Sequence, residues 1–354
     1  MTRDPRQPVL GWDIGGVNTK AARLERGGPA SALALPDIRS ALRPYEIQRD
    51  PAALPSVLRA LAGELGYRAG WPHAVTVTAE LSQAFRTKRE GVARVLDALA
   101  SAFPGDPLHV YTVDGRFLTP AAAEAEPLAV AASNWAATAT LVGRFVPDGI
   151  LVDIGTTSTD IIPLRDGRVA ARGQTDPARL LTRELVYTGA VRTPAEALLT
   201  EVPLWDGRAA VSAEGFATVG DAHIWLGRLA PSDYTVPTAD GRPATREFAG
   251  ERLARVVCGD REMVDDRAID AIAHALVEAQ IALVADGICR VRAVCPGATT
   301  AVVTGLGDFI AAEAARRAGL QVLALRDRLG DAARSAPAAA VAWLLADQLA
   351  TDDG

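Results

Sequence analysis

Cysteine and histidine are scarce in this chain: Cys258, Cys289 and Cys295, and His73, His109, His223 and His274, are all that 354 residues contain. An odd number of cysteines without CxxC spacing points to neither a disulfide framework nor a zinc site, and fits a reducing, cytoplasmic setting. No histidines stand at HxxH or HExxH spacing, so core or surface roles are expected for them. Cys258, between Val257 and Gly259, is expected to pack as a small hydrophobe. A block of Lys and Arg is also missing, and with a formal charge of −6 the chain has no surface suited to a nucleic-acid backbone. Uninterrupted apolar runs of about 18 residues are lacking, which argues against a membrane span. The short apolar stretch of MTRDPRQPVLGWDIGG is not expected to act as a secretion leader. Aromatics are few while Ala, Val and Leu are abundant, a composition suited to close helix-on-sheet layers. The length favours about two domains, small molecules are the expected partners, and assembly into a homo-oligomer is left open.

What is present is a hairpin pattern that occurs twice. Val9–Asp13 reads as a buried strand, Gly15–Asn18 as a tight turn and Thr19–Leu24 as a returning strand. GILVDIG, the polar turn Thr156–Thr159 and DIIPL repeat the unit from Gly149 onward. Between the copies, Pro55–Tyr67 and Lys88–Phe103 carry helical spacing, HAVTVT alternates like a strand, and Leu128–Phe145 reads as one helix. Beyond them Asp176–Thr188 looks helical, Leu204–Thr218 looks like a loop-rich insert, and Arg252–Cys258 and Asp266–Ala285 return to helical periodicity. VVTGLG is an apolar strand entering Gly305 and Gly307, with the helix Phe309–Ala318 behind it, a plausible phosphate platform. Ala336–Leu349 is a hydrophobic helix, and TDDG is a polar end.

The chemistry of the paired hairpins is that of phosphate. Small residues at Gly15, Gly16 and Gly155 let backbone amides converge on an anion. Asn18 and the hydroxyls of Thr19, Thr156, Thr157, Ser158 and Thr159 add donors. Asp13 and Asp153 can each hold hydrated Mg²⁺, and Lys20 offers a point positive charge. One such turn is a common β-turn; two copies and a late glycine motif together favour a phosphate-binding cleft.

In these motifs the sequence resembles the actin-like (sugar kinase/Hsp70-type) ATPase superfamily. That resemblance implies an α/β, duplicated, two-lobed fold with mixed sheets flanked by helices. Residues 1–148 would form the first lobe, completed by the helix 336–349. Residues 149–335 would form the second, with an insert around 204–250. DIGTTSTDI is similar to the corresponding segment of hydantoinase A/oxoprolinase proteins. DIGGVNTK, VTAELSQAFRTKREGV, ASNWAATA, DIGTTSTDIIP, LVYTGAVRTP, TADGRPATREFAGERLARVVCGD and VVTGLG resemble the methanofuran-biosynthesis synthase family. This implies a transferase that couples the phenol of γ-glutamyltyramine to an aminomethyl-furan diphosphate, forming an aryl ether and releasing diphosphate, with Mg²⁺ present and ATP not consumed.

On that reading Lys20 faces the leaving diphosphate. Glu80, after the HAVTVT strand, is the first candidate for the base that takes the phenol proton, and capping the next helix is its alternative role. Asp160 is a rival base, or orients metal-bound water, or steadies the turn. Asn134 would face the cleft from a helix, and Arg242 and Arg246 would receive an anionic substrate group from the loop Tyr234–Arg246. Two other classes of function remain: an ATP-dependent kinase or hydantoinase-like enzyme, and a non-catalytic nucleotide-switched regulator.

Overall fold

The computed structural model describes residues 7–26 and 38–352, so the first residues of the N-terminal stretch and the last two of TDDG lie outside it. Strands β1 (Val9–Gly15), β2 (Asn18–Leu24), β3 (Ile38–Pro44), β4 (His73–Thr78), β5 (Leu108–Tyr111) and β6 (Phe117–Leu118) form one sheet in the order β3-β2-β1-β4-β5-β6. A second sheet holds β7 (Gly149–Ile154), β8 (Thr159–Arg165), β9 (Arg168–Val169), β10 (Leu185–Val186), β13 (Thr300–Thr304) and β14 (Gln321–Ala324). Its order is β10-β8-β7-β13-β14, with β9 on β8; β11 (Glu201–Leu204) and β12 (Gly207–Ala210) pair separately. In each sheet a central strand, β1 or β7, runs antiparallel to the next strand and parallel to a later one. Both central strands are apolar runs buried on both faces, as expected for strands with helices on either side.

Two alanine-rich helices, Asn134–Gly143 and Ala336–Asp352, occupy the space between the sheets. Their buried faces join Val9, Ala22 and Leu24 of the first sheet to Leu151, Ile162 and Val302 of the second in one core. Helices Leu54–Glu64 and Lys88–Ala102 cover the outer face of the first sheet. Helices Asp266–Val294 and Asp308–Arg317 cover that of the second. Asp266–Val294 is long and apolar enough to cross a membrane by length and composition. Here one of its faces, from Ala268 through Val291, is buried in that second core.

Four expectations from the sequence change. The helix expected over Asp176–Thr188 ends at Thr182, where Arg183 takes φ 62°, and Leu185–Val186 pair with β8 as a strand instead. The single helix expected over Leu128–Phe145 is two, because the chain leaves helical geometry between Val130 and Asn134. Ala131 bridges to Val77 beside β4, Ala132 donates its N–H to Val77 O at 2.8 Å, and Ala132 has φ 53°. Part of the loop expected over Leu204–Thr218 is the β11/β12 hairpin. Cys258 is exposed with φ 57° rather than packed, since it follows the helix Arg246–Arg255 in a left-handed turn.

Two histidines are built into the cores in neutral form. The His73 ring accepts the Trp12 Nε1–H at Nδ1 (3.0 Å), which leaves its proton on Nε2, 3.1 Å from Asp106 Oδ2. Protonating Nδ1 would set two N–H groups against each other. Burial outweighs the Asp106 carboxylate and pushes the His73 pKa down to about 4. His223 donates Nε2–H to Gln280 Oε1 at 2.8 Å and is likewise lowered by burial to about 4. The unfolded chain therefore binds more protons between the ordinary 6.5 and about 4. Stability should therefore drop as the pH is lowered from about 6.5 to about 4, by about 1.4 kcal/mol per pH unit for each ring. Denaturant titrations across it should show a shallower slope for His73→Gln and for His223→Gln; slopes equal to that of the unaltered protein would mean the rings titrate normally.

Candidate functional site

Both hairpin turns project from the central strands toward the same place. Across the β1/β2 ladder Asp13 lies opposite Lys20, and across β7/β8 Asp153 lies opposite Asp160, at the same offset from the turn. The first pair is a salt bridge, Lys20 Nζ to Asp13 Oδ2 at 3.2 Å, and Thr78 Oγ1 at the end of β4 donates to the other Asp13 oxygen at 3.1 Å. The second is a like-charge pair that needs outside help. Arg179 supplies it, with Nη2 2.6 Å from Asp160 Oδ1 and its guanidinium stacked 4.3 Å over Trp135. Asn18 joins the hairpins by donating to Thr156 Oγ1 at 3.3 Å, while its own Oδ1 accepts from Thr235 at 3.2 Å.

The charges do not balance. Burial pushes the Asp153 carboxyl up to about 7, the Asp160 charge adds to this, and Lys20 pulls the other way. Burial also raises Asp160, with Arg179 opposing it. For Lys20 burial disfavours the charge, but Asp13, Asp153 and Asp160 together hold it above the usual lysine value. Asp153 has no hydrogen-bond donor among the described residues, and the late glycine motif is pressed against it. Gly305 has φ +88°, and a Cβ there would lie 2.3 Å from Ile154 O and 2.4 Å from Asp153 Oδ1, so only glycine fits. Gly307 N donates to Ile154 O at 2.9 Å.

Two cavities flank the turns. One, of about 270 Å³, is lined by Asn18, Lys20, Asp153, Gly155, Thr156 and Gly305. The other, of about 600 Å³, is lined by Gly16, Val17, Glu80, Asn134, Thr157, Ser158 and Asp160. Successive residues of one turn thus face different cavities. Among the described residues the amides of Gly16, Val17, Thr156, Thr157 and Ser158 donate to no backbone acceptor, which leaves them for an anion.

Glu80 is buried at the second cavity, and it does not cap the following helix: Thr87 does, accepting from Glu90 N. Its Oε1 accepts from Lys88 Nζ at 3.1 Å, Lys88 reaches Asp176 at 2.6 Å, and its Oε2 has no partner. Burial raises the Glu80 pKa against the pull of Lys88. Asn134 heads its helix rather than sitting inside it, which is why it reaches this cavity.

Other expected ligands point elsewhere. Thr19 is fully buried with an unpartnered hydroxyl, Thr159 donates to Thr188 O at 2.6 Å, and Gly307 packs on Ile154; none lines either cavity, because these residues alternate to the core side of the ladder or behind the turn. Gly15 serves the turn geometry: a Cβ there would lie 2.7 Å from Asn18 O. Arg242 pairs with Glu251 at the surface, and Arg246 stacks 3.8 Å over Trp225 and donates to its carbonyl, so neither reaches the cavities. Conversely, Thr78, Lys88, Arg179 and Arg192 belong to the site without having been expected. Thr78 and Lys88 lie with Glu80 in the stretch VTAELSQAFRTKREGV and Arg192 lies in LVYTGAVRTP, whereas Arg179 lies in none of the matching stretches.

No group of three or more His, Cys, Asp and Glu is placed to hold a metal among the described residues. Asp13 and Asp153 are the two carboxylates of this cleft that could contribute to holding a hard cation, which would need most of its ligands from elsewhere.

Arg179 makes a direct test of this electrostatic frame. Arg179→Ala strands a buried carboxylate and should cost about 3–5 kcal/mol, whereas adding Asp160→Asn should recover much of it. Additive losses in chemical denaturation would show that the two residues are not coupled.

The chain matches the hydantoinase/oxoprolinase family over residues 72–348. It is 35% identical over 96% of its length to the (4-{4-[2-(γ-L-glutamylamino)ethyl]phenoxymethyl}furan-2-yl)methanamine synthase of Methanocaldococcus jannaschii, covering 98% of that protein. It is 34% identical over 56% of its length to the protein of the same name from Methanococcus vannielii, covering 91% of it. Among solved structures, nucleotide-free acetone carboxylase superposes with a TM-score of 0.59 at 12% identity, over 94% of this chain and 70% of that one. That likeness shows the fold, the two-lobed actin-like one. By the extent of these matches the chain belongs to the hydantoinase/oxoprolinase family and, within it, to the family of the phenoxymethylfuran methanamine synthases.

Proposed function

We propose that the chain is a transferase of methanofuran-type cofactor biosynthesis, joining the phenol of γ-glutamyltyramine to an aminomethyl-furan diphosphate with release of diphosphate. The observation that carries this reading is the whole-length similarity to a synthase whose name describes such an ether. The cleft supports it: two turns with free amides, a lysine and a surplus of carboxylate suit a diphosphate leaving group. Nothing in the chemistry requires ATP, because the bond broken is the one between the furan CH₂ and the diphosphate.

The turn amides of Gly16, Val17 and Thr156–Ser158 bind the diphosphate oxygens, and Lys20 stabilises the charge that grows on them as the C–O bond lengthens. Asp13 and Asp153 would hold Mg²⁺, which supplies further neutralisation of the leaving group. Glu80 Oε2, buried and unpartnered, accepts the phenolic proton. Its raised pKa narrows the gap to a phenol of pKa about 10. Asp160 is occupied by Arg179 and keeps the second turn in shape. In the step itself the phenol oxygen forms a bond to the furan CH₂, the CH₂–O bond breaks with its electron pair going to diphosphate, and the phenolic proton ends on Glu80.

Purified protein given both substrates and Mg²⁺ should form ether and release diphosphate in equal amounts without ATP; strict dependence on ATP would favour the kinase or amidohydrolase reading. Lys20→Ala should lower kcat by about 10²- to 10³-fold with little change in KM for the phenol. Near-normal kcat in both Lys20→Ala and Lys20→Arg would remove this lysine from the mechanism.

A further inference from the structure

The segment that follows β10 is held from within against the second hairpin turn. Ala190 N donates to Gly155 O at 2.9 Å, and Val191 and Arg192 N both donate to Thr156 O, at 3.2 and 3.1 Å. Gly189 passes so close that a Cβ would lie 2.5 Å from Thr157 N. From the helix Asp266–Val294, buried Gln280 donates to Thr188 Oγ1 at 2.9 Å and to Gly189 O at 2.7 Å, and the Thr188 and Thr193 hydroxyls are 2.8 Å apart. The backbone N–H groups of Ala190, Val191 and Arg192 are thus spent on fixing the segment to the turn.

Two of its side chains point the other way. Tyr187, 60% exposed, and Arg192, also exposed, line the larger cavity. Arg192 has no carboxylate partner and no side-chain hydrogen bond among the described residues, whereas Arg179 is committed to Asp160, and Lys88 to Glu80 and Asp176. The cavity is therefore polarised: Lys88 serves two carboxylates, leaving negative surplus at Glu80, and Arg192 is an uncompensated cation. Leu81, 59% exposed, adds an apolar wall from the segment after β4.

We propose that Arg192 is a specificity-determining residue that pairs with the free carboxylate of the acceptor's amino-acid arm, with Tyr187 and Leu81 flanking the arm's hydrocarbon part. This rests on the transferase reading above. The acceptor it implies has a phenolic proton at one end and an α-carboxylate at the other, matching a proton-accepting carboxylate and a free guanidinium in one cavity. A planar guanidinium on a fixed backbone is suited to bidentate carboxylate recognition, which an ammonium would not reproduce.

The test compares γ-glutamyltyramine with tyramine, which lacks the carboxylate, at saturating furan diphosphate, using the full chain and its Arg192→Ala and Arg192→Lys variants, with melting curves to confirm folding. In Arg192→Ala the kcat/KM preference for γ-glutamyltyramine over tyramine should collapse by about 10- to 100-fold, through KM for the glutamylated acceptor, with partial retention in Arg192→Lys. An unchanged preference overturns the inference. So does a loss that appears instead in KM for the furan diphosphate, which would make Arg192 a phosphate ligand. Absence of ether from the unaltered protein overturns the transferase reading, and this inference with it, so the two failures are told apart.

Discussion

Everything at the cleft depends on an asymmetry between two equivalent ladder positions. The hairpins place one aspartate each at Asp13 and Asp153, but the residue opposite is Lys20 in the first and Asp160 in the second. Three carboxylates then face two cations, Lys20 and Arg179, and one negative charge is left over inside a desolvated site. The raised pKa of Asp153 comes first from its burial, and the neighbouring Asp160 charge adds to it. On the proposed transferase reading, a cation accompanying an anionic leaving group would relieve the surplus.

The fold makes this arrangement rigid. Each aspartate sits on the central strand of its sheet, buried on both faces, and the alanine-rich helices between the sheets let the strands come close enough for Asn18 to reach Thr156. Packing against Gly305 fixes the Asp153 carboxylate from the other side. Preorganisation of this kind matters because electrostatic stabilisation is worth most when no dipole or charge has to move during the reaction.

Much of this was legible in the sequence, for a physical reason. A β-hairpin is a local structure, so the strands, turns and paired residues Asp13, Lys20, Asp153 and Asp160 all lie within short windows whose alternation can be read directly. Glu80 was legible as an acid at the end of a strand. Its freedom from a capping role was not, since that depends on Thr87 capping the helix and on Lys88 folding back onto it. Arg179, Gln280 and Arg192 matter through contacts between remote segments, and no period in the sequence marks them. The loop around Arg242 and Arg246 misled for the complementary reason: exposed arginines in a polar segment look available, yet Glu251 and Trp225 take both.

The central claim is that the two hairpins jointly bind a metal–diphosphate pair, and calorimetric titration of the protein with diphosphate, with and without Mg²⁺, tests it most directly. The account predicts saturable binding that needs Mg²⁺ and that weakens by at least about tenfold in Asp13→Asn and in Asp153→Asn alike, each removing one ligand charge. Equal affinity with and without the metal, or undiminished binding in either variant, would contradict it.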